Sequence, residues 1–153
     1  MKLQLAVLSI AAAAALPATA AAAKPEREYI PADELTFAAG VYCDFPIEVT
    51  PLKLREKLTF FSDGRIRVTG AAIIELTNLD NGRSIVINSS GPSSLERGAA
   101  QGPQLFFVNA DEAGGPGIFL YHGNLRFTRD EDGNIDSITS TGTRSGNFCE
   151  SIA

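Results

Sequence analysis

Between residues 66 and 78 apolar and polar side chains take turns. Ile66, Val68, Gly70, Ala72, Ile74 and Leu76 fall at one parity, and Arg67, Thr69 and Glu75 at the other. A strand sends successive side chains to opposite faces, so this period of two predicts a β-strand with one buried face. The rhythm recurs over 118–129, where Phe119, Tyr121, Gly123, Leu125 and Phe127 alternate with His122, Asn124, Arg126 and Thr128. Stretches 41–50 and 52–61 are rich in β-branched and aromatic residues and read as two more strands. Residues 83–90, 105–109 and 135–142 are further strands, and Phe148-Cys149 closes the series.

Turn chemistry separates these runs. Ser62-Asp63-Gly64-Arg65, Leu79-Asp80-Asn81-Gly82 and Asp130-Glu131-Asp132-Gly133 carry the Asp-Gly and Asn-Gly steps that tolerate the positive φ of tight hairpins. Gly91-Pro92 breaks a strand, and 91–103 reads as a loop with one short strand or helical turn around Leu95. Residues 111–117, with three glycines and a proline, form the most irregular turn. About eight strands without a helical period predict a single antiparallel all-β domain. Gly70 and Gly123 lie in mid-strand, where barrels bend sharply, so the pattern favours a small barrel over an open sandwich.

The start of the chain departs from this pattern. Met1-Lys2 is positive, 3–16 is an apolar run, and Pro17-Ala18-Thr19-Ala20 ends in a small-x-small step. That is the pattern of a secretory signal peptide. The expected division is a signal peptide at 1–23, a flexible lead-in at 24–35 containing Pro25 and Pro31, and the β domain at 36–153. The exported form is expected to begin between Ala21 and Lys24, as a secreted, extracellular protein. No second apolar stretch reaches spanning length, so no transmembrane segment is expected after signal removal.

Charge narrows the partners. The chain has 13 Lys+Arg against 18 Asp+Glu, a formal charge of −5, and loss of Lys2 with the leader makes it −6. Scattered negative charge is repelled by phosphate backbones and anionic lipid, which argues against nucleic-acid binding. Cys43 and Cys149 are the only cysteines. An even pair in an exported domain predicts a disulfide, here joining the first strand to the last across a loop of 107 residues counted inclusively.

Catalytic chemistry is hard to place, and no catalytic, metal or cofactor-binding residue is assigned. His122 is the only histidine, it alternates away from the aromatic face, and no nucleophile motif accompanies it. Glu48 with Glu75 could supply paired carboxylates, though nothing singles them out. Asp130-Glu131-Asp132-Gly133-Asn134 offers oxygen ligands at close spacing but lacks the length and terminal glutamate of a calcium loop, so it reads as turn chemistry. Asn88-Ser89-Ser90 matches a glycosylation acceptor at a strand end.

Cys43-Asp44-Phe45-Pro46-Ile47-Glu48-Val49, the turn Asn78-Leu79-Asp80-Asn81-Gly82-Arg83-Ser84, the break Ser90-Gly91-Pro92 and the late Cys149 form a recurrent set. Over roughly 41–152 the chain resembles small uncharacterised secreted proteins of actinomycetes. The resemblance implies an exported all-β fold with one disulfide and no known activity. Two non-enzymatic readings follow. One is a monomeric barrel that binds a small apolar ligand between Phe60, Phe119, Tyr121 and Phe127. The alternative is an extracellular protein-interaction module, an envelope component or enzyme inhibitor, that uses the loops 91–103 or 113–117.

Overall fold

The computed structural model describes residues 23–153, so the signal peptide assigned to 1–23 lies outside the described residues but for Ala23. The strands are β1 (Glu26–Tyr29), β2 (Leu35–Phe37), β3 (Ile47–Leu54), β4 (Lys57–Phe60), β5 (Ile66–Thr69), β6 (Ala72–Asn78), β7 (Ser84–Asn88), β8 (Ser93–Ser94), β9 (Ala99–Gln101), β10 (Gln104–Val108), β11 (Gly117–Tyr121), β12 (Asn124–Arg129) and β13 (Ile135–Ser140). A short helix, α1 (Phe148–Ile152), follows them. All the pairings are antiparallel. They make a seven-stranded sheet ordered β1-β4-β5-β8-β9-β12-β13, a four-stranded sheet β2-β3-β6-β7, and a two-stranded sheet β10-β11.

Among the described residues thirteen strands replace the expected eight or so because the long ones are bent in the middle. The run 66–78 enters the seven-stranded sheet as β5 and the four-stranded sheet as β6, hinging at Gly70. That residue has φ +145°, and a Cβ there would stand 2.1 Å from the Arg55 carbonyl oxygen, so only glycine fits. Arg55, between β3 and β4, donates its N–H to Ala71 O at 2.8 Å, so both arms of this hairpin bend at one level. The run 118–129 divides likewise at His122-Gly123 into β11 and β12. Gly123 lies against Gly142, with an added Cβ 2.7 Å from the Gly142 nitrogen. Gly102 N–H donates to Gly123 O at 2.9 Å, and Gly102 in turn lies beside Gly91. The bends therefore line up across neighbouring strands, and a single meander folds over along this line.

Two hydrophobic clusters fill the fold. Ile47, Val49, Ile74, Leu76 and Ile87 of the four-stranded sheet meet Ile118 of β11 and Cys149 and Ile152 around α1. Val108, Phe119 and Tyr121 meet Ala100 and Leu125 of the seven-stranded sheet. The β10–β11 pair contributes to both clusters, which explains why 105–108 is a continuous apolar run rather than an alternating one.

The expected barrel is corrected: among the described residues the sheets remain open and sandwich-like, with no hydrogen-bonded ring. Mid-strand glycines bend strands from one layer to the next, as strands that switch sheets at sandwich corners do, and do not curl one sheet shut. Cys43 and Cys149 are bonded, with Cα atoms 5.5 Å apart and a separation of 106 residues. The bond joins the segment before β3 to α1, not the first strand to the last. Phe148-Cys149, expected as the closing strand, lies instead in a helix over 148–152 that Asn147 caps, its Oδ1 accepting from Cys149 N–H at 3.1 Å. Pro51, the expected break between two strands, lies inside β3 at a register shift, where a bulge tolerates its missing N–H. Part of the expected flexible lead-in is edge strand: Glu26–Tyr29 pairs with β4 through its backbone while all four side chains stay exposed.

Candidate functional site

Antiparallel register places Arg27, Thr59, Arg67, Ser94, Ala99, Arg126 and Thr139 in one cross-strand row of the seven-stranded sheet. The neighbouring row, Val68, Ser93, Ala100 and Leu125, includes the core residues Ala100 and Leu125, so by alternation Arg67, Ser94, Ala99 and Arg126 face away from that core, while Thr59 of the same row is buried. On that face lies a cleft of about 610 Å³. At the hairpin tips it is bounded by Phe61, Arg65 and Arg97, and at the fold line by Pro92, Gln101 and Asn124. Arg67 and Arg126 line its length together with Ser93 and Ser94.

Four of the chain's nine arginines line this cleft, and among the described residues no carboxylate does. Two of the four have counter-charges on the rim. Arg65 Nε is 2.7 Å from Asp63 Oδ2, and Arg97 Nε is 3.7 Å from Glu96 Oε1. Asp63 is held below the usual carboxylate range, foremost by the Arg65 backbone N–H and further by the Arg65 guanidinium. Glu96 is also held low, first by the Ile66 N–H at 3.1 Å, then by the charges of Arg97 and Arg65. Among the described residues Arg67 and Arg126 have no carboxylate within 4.0 Å, so their guanidinium donors face the cleft's solvent uncompensated. The cleft therefore keeps an excess of positive charge within an acidic protein. Phe61, its one aromatic residue, has the Arg65 guanidinium 4.8 Å from its ring centroid.

The residues singled out from the sequence fall elsewhere. His122 is exposed at the fold line and is held by its backbone, its N–H donating to Thr143 O at 2.8 Å. Glu48 and Glu75 share the outward face of the four-stranded sheet as diagonal neighbours, and Glu75 Oε1 accepts from Ser84 Oγ at 2.7 Å. Asp130 serves its own turn, its Oδ1 accepting from Asp132 N–H at 3.0 Å and Asn134 N–H at 2.8 Å. Desolvation raises its pKa, but the hydrogen bonds from Asn134, Asp132 and Gly133 outweigh this and leave it lowered. Among the described residues no three His, Cys, Asp or Glu side chains gather into a metal-sized cluster. Phe119 and Tyr121 are buried, and Phe106 packs edge-on against both Tyr121 and Phe127, at 5.4 and 5.7 Å. None of Phe60, Phe119, Tyr121 and Phe127 is among the described residues that line the cleft.

The expected loop 91–103 contains β8 and β9 and supplies more than half of the cleft lining. Arg67 and Arg126 each look like an ordinary solvated position on an alternating strand. The one signal available in the sequence was that both sit opposite an apolar face. No protein-family model, curated protein or solved structure matches the chain.

Proposed function

We propose that the mature chain is a secreted, non-enzymatic binding module, and that the arginine-lined cleft is its binding face for an anionic partner. The observation that carries this reading is the gathering of four guanidiniums around one cleft without a lining carboxylate, in a chain of net charge −5. Bringing like charges together costs Coulomb energy that a random surface avoids, and a bound anion recovers it. Guanidinium groups present planar forks of donors that suit carboxylate, sulfate and phosphate oxygens. The buried disulfide and the leader pattern at 1–23 support export. The cleft is complete within one chain, so a monomer suffices.

A thermal-shift titration at low ionic strength tests the reading, with pyrophosphate, citrate and a sulfated dextran as probes and sodium chloride as the ionic-strength control. Binding to the folded state alone raises the melting temperature in a saturable way. The rise is expected for wild type and lost in the Arg67→Gln/Arg126→Gln double variant. If none of the three anions exceeds the chloride control, the reading fails.

A further inference from the structure

We propose that the anionic partner is an acidic glycan: a run of sugars lying along the cleft, its acid groups on Arg67 and Arg126 and its hydroxyls on Ser94, Gln101 and Asn124. This rests on the reading of the cleft as an anion-binding face and names the class of anion.

Three features of the cleft select a glycan. The first is extent. Arg67 and Arg126 are separated in the sheet by β8 and β9, and three inter-strand steps put their backbones about 14 Å apart. A volume of about 610 Å³ lies in the range that holds ligands of many atoms. A single tetrahedral anion fills little of it.

The second is the neutral lining. Among the described residues the side chains of Ser94, Gln101 and Asn124 make no hydrogen bond within the protein, although all three line the cleft on the arginine face. Hydroxyl and amide groups both donate and accept, which matches sugar hydroxyls and is superfluous to a bare anion, an acceptor only.

The third is what the cleft lacks. Single-stranded nucleic acids are held by bases stacked on exposed aromatic rings, but Phe61 is the only ring here and Arg65 already covers it. Extended peptides add to a sheet through a free backbone edge, and the cleft crosses β5, β8, β9 and β12 in the interior of the sheet, where strands already have partners on both sides. A sugar chain needs neither stacking platform nor edge.

Isothermal titration of the mature protein against galacturonic acid, a hexameric oligogalacturonate, a hexameric sulfated dextran, a neutral dextran hexamer, oligothymidylate and pyrophosphate decides the point. One acidic hexamer is expected to bind at least about tenfold more tightly than galacturonic acid and pyrophosphate, with the neutral hexamer not binding. Which hexamer wins identifies carboxylate or sulfate as the acid group. Arg67→Gln and Arg126→Gln each cost about tenfold, the loss of one charge-assisted contact. Ser94→Ala/Asn124→Ala weakens the hexamer several-fold and leaves pyrophosphate unchanged, a split that a purely electrostatic site does not give. All four positions are at least partly exposed, so the variants retain the fold, and an unshifted melting temperature checks this. Pyrophosphate binding that depends on Arg67 and Arg126, with neither acidic hexamer any tighter, overturns the glycan and leaves the anion-binding face. Oligothymidylate binding more tightly than both hexamers also overturns it. Absence of binding by every anion overturns both.

Discussion

Asn78 Nδ2 donates to the carbonyl oxygen of Ile152 at 2.9 Å, linking the last residue of β6 to the last residue of α1. Both residues are 2% exposed. Asn78 Oδ1 meanwhile accepts from Asp80 N–H at 2.9 Å, and Asn81 Nδ2 reaches the same Ile152 oxygen at 3.3 Å. One amide thus shapes the β6–β7 turn and fastens the helix to it. Asn78→Ala removes the shorter of the two donors to the Ile152 oxygen and the acceptor of the Asp80 N–H, and is expected to cost about 1–3 kcal/mol. Thermal melts should show a drop of roughly 5–10 °C, and a variant melting with wild type would deny the clamp its role.

Reduction of the disulfide acts on the same corner of the fold. In the chain-entropy picture, releasing a loop with a separation of 106 residues removes about 4–5 kcal/mol of stability. Cys43 and Cys149 are also buried in the cluster beside α1, so Cys43→Ser/Cys149→Ser is expected to unfold at a markedly lower urea concentration. Equal midpoints for the double variant and the oxidised protein contradict this.

Gly70 and Gly64 make a controlled comparison. Both have positive φ, but an added Cβ meets nothing within 4 Å at Gly64, whereas at Gly70 it lies 2.1 Å from Arg55 O and 2.6 Å from Glu56 Cα. Gly64→Ala should cost about 1–2 kcal/mol, the backbone term alone. Gly70→Ala forces the two bent strands apart and should exceed about 4 kcal/mol, enough to depress soluble yield. Chemical denaturation of the two variants side by side gives the ranking, and equal costs would remove the steric reason for the bend.

Glu56, at the other side of that bend, has its pKa raised by burial. Its charged form is disfavoured in the folded state, so the penalty is absent at acid pH and appears as pH rises through the raised value. Glu56→Gln is never charged there. The difference in melting temperature, variant minus wild type, is therefore expected to grow from pH 4 toward pH 7, the opposite sign from a carboxylate with a lowered pKa such as Glu96. A difference that shrinks over this range would contradict the burial argument.

His122 is the residue a hydrolytic mechanism would recruit, yet it is exposed and its backbone N–H makes the local hydrogen bond to Thr143 O. His122→Gln is expected to change stability by no more than about 0.5 kcal/mol and to leave anion binding unchanged. Titrating pyrophosphate into the variant checks it, and loss of binding with retained fold would move the site to the fold line.

How much of this was legible follows from the range over which each feature is encoded. Alternation over 66–78 and 118–129 identified strand and buried face, because period two is a property of a few consecutive residues: Val68, Ala72, Ile74 and Leu76 are buried as it requires. The turns at Asp63-Gly64, Asn81-Gly82 and Asp132-Gly133 were readable for the same reason, each glycine adopting the positive φ the turn needs. β1 left no mark, since an edge strand with four exposed side chains is held by backbone hydrogen bonds that any residue but proline can make. The helix left little, because five residues are too few to show a period.

By itself, then, the chain determined that it is antiparallel β, which faces are apolar, where it turns and which cysteines pair. Only the tertiary structure decided that Gly70 and Gly123 fold the meander into layers instead of closing a barrel. A glycine permits a bend, but its direction depends on what the two halves bury: Ile74 and Leu76 pack in the cluster beside α1, Leu125 against Phe119. The cleft was decided there too. Arg67 and Arg126 are 59 positions apart and share a row only because β8 and β9 pair in register between them. That register comes from the sum of many weak long-range contacts, none of which is written at either arginine.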